Sequence, residues 1–152
     1  MKNPNLSLQK IIQHEIPITQ SMGITYDDFQ DTTCVISVPL APNHNHKGTA
    51  FGGSLYSACA AAGYGLLYHL QVKENLIEFD LLLASGNINY LKPVQDDFQV
   101  EATIITDDWT KLLKKLNTNG FGKIVITAHV MIGEEKNLCD FSGVFVLKSR
   151  KP

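Results

Sequence analysis

Asn43-His44-Asn45-His46-Lys47-Gly48-Thr49-Ala50-Phe51-Gly52-Gly53, running straight into Ser54-Leu55-Tyr56-Ser57-Ala58-Cys59-Ala60-Ala61-Ala62-Gly63-Tyr64-Gly65-Leu66-Leu67-Tyr68-His69-Leu70, sets the architecture of everything around it. The first part is a polar, glycine-bearing loop. The second reads as about five turns of helix, with four alanines favouring that geometry. Gly63 and Gly65 each cost about 1 kcal/mol relative to alanine inside a helix, so their presence points to close packing. His69 is the only charge-capable side chain between Phe51 and Leu70. A helix apolar on every side is a buried one, so something must wrap it. It falls short of the roughly 18 to 20 strongly apolar residues needed to span a bilayer.

The flanking sequence supplies the wrapping. Ile24-Thr25-Tyr26 and Thr32 to Val38 read as a hairpin turning at Asp27-Asp28, with Pro39 and Pro42 closing its second strand. Phe79 to Leu91 reads as a long strand interrupted at Ser85-Gly86, a bulge or kink, and ended by Lys92-Pro93. Phe98, Val100, Ala102 and Ile104 alternate with Gln99, Glu101 and Thr103, the period of a strand with one buried face. Ile124 to Ile132 and Leu138 to Leu147 read as two more strands joined by a loop over residues 133–137. A short helix over Trp109 to Leu116, capped by Asp107 or Asp108, and a flexible return at Asn117 to Gly122 lie between. Upstream, Leu6, Leu8, Ile11, Ile12 and Ile16 approximate helical spacing, and Pro17 ends that amphipathic lid helix. The fold class expected is α+β: a curved antiparallel sheet of about five to six strands around one long central helix.

Length and composition narrow the function. A chain of 152 residues suits one domain, taken as residues 1–152. Net charge is −2 and the 18% charged residues are mixed along the chain, which argues against a nucleic-acid or polybasic membrane surface. The first residues form no apolar run of signal-peptide length, so the cytoplasm is the expected location. Cys34, Cys59 and Cys139 are odd in number, widely spaced and set among apolar neighbours, and read as reduced core thiols.

The element order and a set of loop and strand residues resemble the hotdog fold of the thioesterase and dehydratase superfamily. The residues that carry the likeness are Asn45, Gly48, Phe51-Gly52-Gly53 and Gly86-Asn87-Ile88-Asn89-Tyr90-Leu91-Lys92-Pro93-Val94. Hotdog thioesterases commonly open the helix with His-Gly-Gly, and Phe51 stands where that histidine would be. The run from Pro39 to Tyr56 looks most like the thioesterase domain of the YiiD C-terminal type, some members of which follow an acetyltransferase domain. The resemblance implies a homodimer, possible further pairing into a tetramer, and acyl-CoA or acyl carrier protein thioesters bound at the subunit interface.

Candidate site residues follow from the residues and the resemblance together. Free amides at Gly52, Gly53 and Ser54 have no intrahelical partner and lie where the helix dipole favours negative charge, an oxyanion-type site. Asn45 either orients the hydrolytic water, as the resemblance implies, or bonds its own loop backbone. The family places Asp or Glu about two turns into the helix as base or nucleophile, whereas this sequence has Cys59, Ala60 and Ala61 there. Tyr56, Ser57 and Tyr64 are the nearest polar groups on that face. Ser57 as nucleophile competes with a bond back to its helical carbonyl. Cys59 lacks the cationic neighbour a reactive thiolate needs. His46 is a candidate base on its chemistry, against a solvent-facing loop histidine. Phe51, Asn89 and Lys92 complete the substrate-binding candidates, Lys92 as a point charge for a phosphate.

No metal site is expected, because His44 and His46 have no third ligand near them in sequence. His14, His69 and His129 read as structural or surface residues. No cofactor is expected, since no Walker or Rossmann glycine spacing precedes the helix. The leading function is acyl thioester hydrolysis. The alternative is a non-hydrolytic acyl-thioester-binding module that lacks the helix carboxylate, and a dehydratase ranks last for want of a His and acid pair.

Overall fold

The structure is a computed structural model that describes residues 4–151; residues 1–3 and 152 of the expected domain lie outside the described residues. Helices α1 (Pro4–Glu15) and α2 (Ile18–Ser21) precede strands β1 (Thr25–Phe29) and β2 (Thr33–Val38). A 3-10 turn at Ala41–Asn43 leads to α3 (Gly52–Lys73), then β3 (Phe79–Tyr90), β4 (Phe98–Thr103), α4 (Thr106–Asn119), β5 (Phe121–Ile132) and β6 (Glu135–Ser149). All strand pairs are antiparallel and form one sheet in the order β1-β2-β4-β5-β6-β3. That order leaves β3 at an open edge.

The sheet curls around α3 because alternate residues of its strands are apolar. In β5, Ile124, Ile126, Ala128 and Val130 are buried while Lys123, Val125 and Thr127 are exposed. No residue from Ser54 to Gln71 is fully exposed, as the uncharged helix sequence requires. Its glycines sit where the sheet comes closest. A Cβ at Gly65 would stand 2.3 Å from the Tyr26 ring, and one at Gly63 would stand 2.9 Å from the Phe145 ring. Tyr26 is fixed there: its hydroxyl donates to the Ala61 carbonyl at 2.7 Å and its ring stacks on Phe29. Cys34, Cys59 and Cys139 are free and buried. His69 is held structurally, stacked on Phe29 and 3.5 Å from Asp31.

Five local expectations are corrected. Asp27 and Asp28 do not turn the first hairpin; they lie in β1, beside a bulge between Tyr26 and Asp28, and the chain reverses over residues 30–32. The burial of Tyr26 and Phe29 on the helix side carries the strand through the aspartates, whose side chains face outward or stay half-buried. Neither Asp107 nor Asp108 caps α4. Ile105 is the N-cap residue, without a side-chain hydrogen bond, and the two aspartates occupy the first turn, where the helix dipole favours them. The flexible return expected at Asn117 to Gly122 is α4 continuing to Asn119, closed by Gly120 in the left-handed conformation (φ 67°). The loop expected over 133–137 is shorter, because β6 begins at Glu135 and the reversal uses Gly133 (φ 57°) and Glu134.

The long strand forms over Phe79–Tyr90, but its irregularity falls between Leu83 and Ser85 rather than at Ser85-Gly86, which pair in register with Val144 and Gly143. No helix among the described residues is long and apolar enough to cross a membrane.

Candidate active site

The loop entering α3 is tied down at both ends. Asn43 is buried, and its Nδ2 donates to the carbonyls of Met22 and Pro39, each at 2.8 Å. Its own carbonyl accepts the Phe51 amide at 2.7 Å, while the Ala50 amide donates to Val94 at 2.8 Å. Between these anchors Asn45 shapes the loop. Its Oδ1 accepts from the amides of Lys47 (2.9 Å) and Thr49 (3.2 Å), and its Nδ2 donates to Thr49 Oγ1 at 2.8 Å. Such a turn is what a loop asparagine does for its own backbone. His46 is exposed and makes no hydrogen bond or ion pair among the described residues.

At the helix start Phe51 is extended (φ −66°, ψ 135°) and offers no side-chain cap. The first intrahelical bond runs from the Leu55 amide to the Phe51 carbonyl at 3.0 Å. The amides of Gly52, Gly53 and Ser54 therefore precede the ladder, and no group among the described residues accepts from them. They are not sealed: Gly53 is exposed, and Gly52 and Ser54 are half-buried. Both glycines are close approaches. A Cβ at Gly53 would stand 2.5 Å from the Phe51 ring, and one at Gly52 would stand 3.2 Å from Tyr90 Oη.

Tyr90 is a residue that sequence reasoning passed over. Its hydroxyl donates to the Gly52 carbonyl at 2.8 Å. That carbonyl shares a peptide plane with the Gly53 amide, so the bond fixes the direction of the amide. The only advance signal was an aromatic at the strand end in the family-like run. A cleft of about 360 Å³ opens here, lined by Thr49, Gly52, Leu55, Tyr90, Leu91 and Lys92.

A second cleft of about 460 Å³ lies farther along α3, where Tyr56, Ser57, Ala60 and Tyr64 face Leu83 and Phe145. Ser57, Ala60, Tyr64 and Tyr68 form a half-buried stripe at helical spacing. The Ser57 hydroxyl has no partner among the described residues, and no histidine lines its cleft. Tyr56 packs edge-on against Phe141, and Tyr64 stacks on Tyr68. Burial, then Tyr68 and Glu15, push the Tyr64 hydroxyl above its ordinary pKa. Burial also drives the Cys59 thiol far up, followed by Cys139, which removes it as a nucleophile at neutral pH.

The remaining candidates sit apart. Lys92 lines the first cleft but pairs with Glu135 at 3.0 Å. Asn89 donates to Asp140 at 2.8 Å and does not line either cleft. Strand alternation puts it on the opposite face from Tyr90. Among the described residues no group of three or more His, Cys, Asp or Glu is arranged to hold a metal ion.

A six-stranded antiparallel sheet curled around one long helix is the hotdog fold. The match to the family described as "Putative thioesterase (yiiD_Cterm)" extends over residues 5–149, and the chain belongs to that family. The structure is similar to a crystal structure of a protein from Shewanella oneidensis described as a putative thioesterase: 26% identity, TM-score 0.82, covering 95% of this chain and 96% of that one. It is also similar to a protein of unknown function from Chlorobaculum tepidum TLS, at 25% identity and TM-score 0.88 over 96% and 94% of the two chains. A thioesterase from Haemophilus influenzae shares the fold at 16% identity, TM-score 0.70, over 95% and 92%.

Proposed function

We propose that this chain hydrolyses acyl thioesters of coenzyme A or acyl carrier protein, working as a twofold dimer. The observation that carries this reading is the row of uncommitted amides at Gly52, Gly53 and Ser54, with Gly52 lining the cleft at the helix start, in a thioesterase-family chain. In hydrolysis, water adds to the thioester carbonyl carbon and the carbonyl oxygen takes up negative charge. Fixed N–H donors aimed at that oxygen stabilise the transition state more than the ground state, because they need no reorganisation as the charge forms. Tyr90 holds the Gly53 donor in place through the Gly52 carbonyl. The apolar second cleft offers the acyl chain a wall of Leu83, Phe145 and the Ala60 stripe.

The dimer is supported by what the single chain leaves uncovered. β3 is an unpaired edge, Leu82 on it is 64% exposed, and Phe51 beside the helix start is 56% exposed. An open, apolar edge strand is a pairing template, and a twofold axis lets one edge pair with itself. The test is thiol release by purified protein across a panel of acyl-CoA chain lengths. Turnover with any of them supports hydrolysis. The second reading, a binding module, is favoured by the absence of any Asp or Glu between Phe51 and Lys73. It predicts micromolar acyl-CoA binding by calorimetry with no thiol released.

A further inference from the structure

The helix supplies no carboxylate, yet the cleft along its middle contains one. Among the described residues, Glu15, the last residue of α1, is the only carboxylate lining either cleft beside the first half of α3. Chain geometry puts it there. Ile12 is fully buried and anchors α1, Pro17 stops the helix, and Ile16 is tucked into the same cleft. Glu15 therefore lines the cleft together with Ala60 and Tyr64, close enough to Tyr64 for its charge to act on that hydroxyl. It also lines an adjoining groove of about 490 Å³, so it stands where the two spaces meet. Its ion partner, His14, is 3.6 Å away and 86% exposed, which leaves the carboxylate free to turn.

Reach decides which amides it serves. Ala60 lies about 10 Å beyond Gly53 along α3, at ~1.5 Å per residue. A general base works within about 3 Å of the proton it takes. Glu15 is thus too far from the amides of its own chain. In the twofold dimer proposed above, antiparallel pairing of β3 with its own copy also runs the two α3 helices antiparallel, and the proposal requires the register that brings the start of one toward the middle of the other.

We propose that Glu15 is the general base for thioester hydrolysis at the Gly52–Ser54 amides of the second copy, so that each site is built from both chains. This rests on the thioesterase reading above. The Glu15 carboxylate takes a proton from water as the water oxygen bonds to the carbonyl carbon, and the π electrons move to the carbonyl oxygen. The intermediate re-forms C=O and breaks the C–S bond, and the leaving thiolate takes the proton from Glu15. The products are a carboxylic acid, which ionises in water, and a thiol.

The test uses Glu15→Gln, an exposed position where folding is expected to survive, with a melting curve as control. Expected are a kcat about 100-fold lower or more with KM little changed. His14, Tyr64, Tyr68, Asp80 and Arg150 share the surroundings of Glu15 and remain in the variant. A differently tagged heterodimer of Glu15→Gln with Gly53→Ala is expected to regain about half the wild-type activity per dimer, because one of its two sites is intact. An unchanged kcat in Glu15→Gln would overturn the proposal while leaving the thioesterase reading in place, and an inactive heterodimer would overturn the two-chain site. Wild-type protein that releases no thiol from any acyl-CoA would instead remove the reading beneath it.

Discussion

Tyr90 and Gly65 show how much depends on single contacts. Tyr90→Phe removes one hydrogen bond, to the Gly52 carbonyl, and nothing else of comparable size. A neutral bond at a half-open site is worth about 0.5–1.5 kcal/mol, so the melting temperature should fall by a few degrees at most. The kcat for acyl-CoA hydrolysis should fall several-fold with KM steady, since the Gly53 amide loses its fixed direction. An equal rise in KM with kcat unchanged would show that Tyr90 serves binding alone.

Gly65→Ala sets two effects against each other. Alanine gains about 1 kcal/mol of helix propensity, but its methyl meets a buried, hydrogen-bonded and stacked Tyr26 ring at 2.3 Å. Overpacking costs about 1–3 kcal/mol, and here the ring has little room to yield, so the net effect should be a lower urea midpoint. A higher midpoint would mean that Tyr26 moves freely.

Asn45 is best judged with its loop, because its carboxamide is committed there. Asn45→Ala should lose about 1 kcal/mol or more as the Lys47 and Thr49 amides lose their acceptor. Asn45→Asp keeps that acceptor and can receive the Thr49 hydroxyl, so it should melt near wild type and keep most of its activity. If Asn45→Asp melts normally yet loses activity about as far as Asn45→Ala, the residue orients water rather than shaping the loop.

The longer elements were legible because periodicity records burial. The uncharged helix, the alternation of β4 and the interruption of β3 all follow from which side chains can face water. Capping and turn positions were less legible. Asp27-Asp28 and Asp107-Asp108 have turn and cap chemistry, but Tyr26, Phe29 and Trp109 are buried on the core side, and packing outweighed the local preference of the aspartates. Of the candidate site, half was legible. The Gly52-Gly53 start was visible as backbone chemistry, whereas Glu15 reaches the cleft only through the packing of α1, which no local pattern encodes.

At the scale of the whole molecule, one chain leaves an apolar edge and a half-covered helix stripe, and both are expected to close against a second copy. Leu82→Lys places a charge on that edge at a site already exposed in the single chain, so it should change monomer stability by no more than about 0.5 kcal/mol. Light scattering should show the wild type at twice the chain mass and the variant shifted toward monomer, with activity lost in step. A wild type that is monomeric and active would remove the dimer from the account.

If the amides opening α3 hold the oxygen of a thioester carbonyl, an amide NMR titration reads that bond at the donor protons themselves. Adding an acyl-CoA ketone analogue, with CH₂ in place of the sulfur, should move the Gly52, Gly53 and Ser54 amide protons downfield ahead of all others as hydrogen bonds form to the ketone oxygen. Saturable binding that leaves those three resonances unmoved and perturbs amides elsewhere would contradict it.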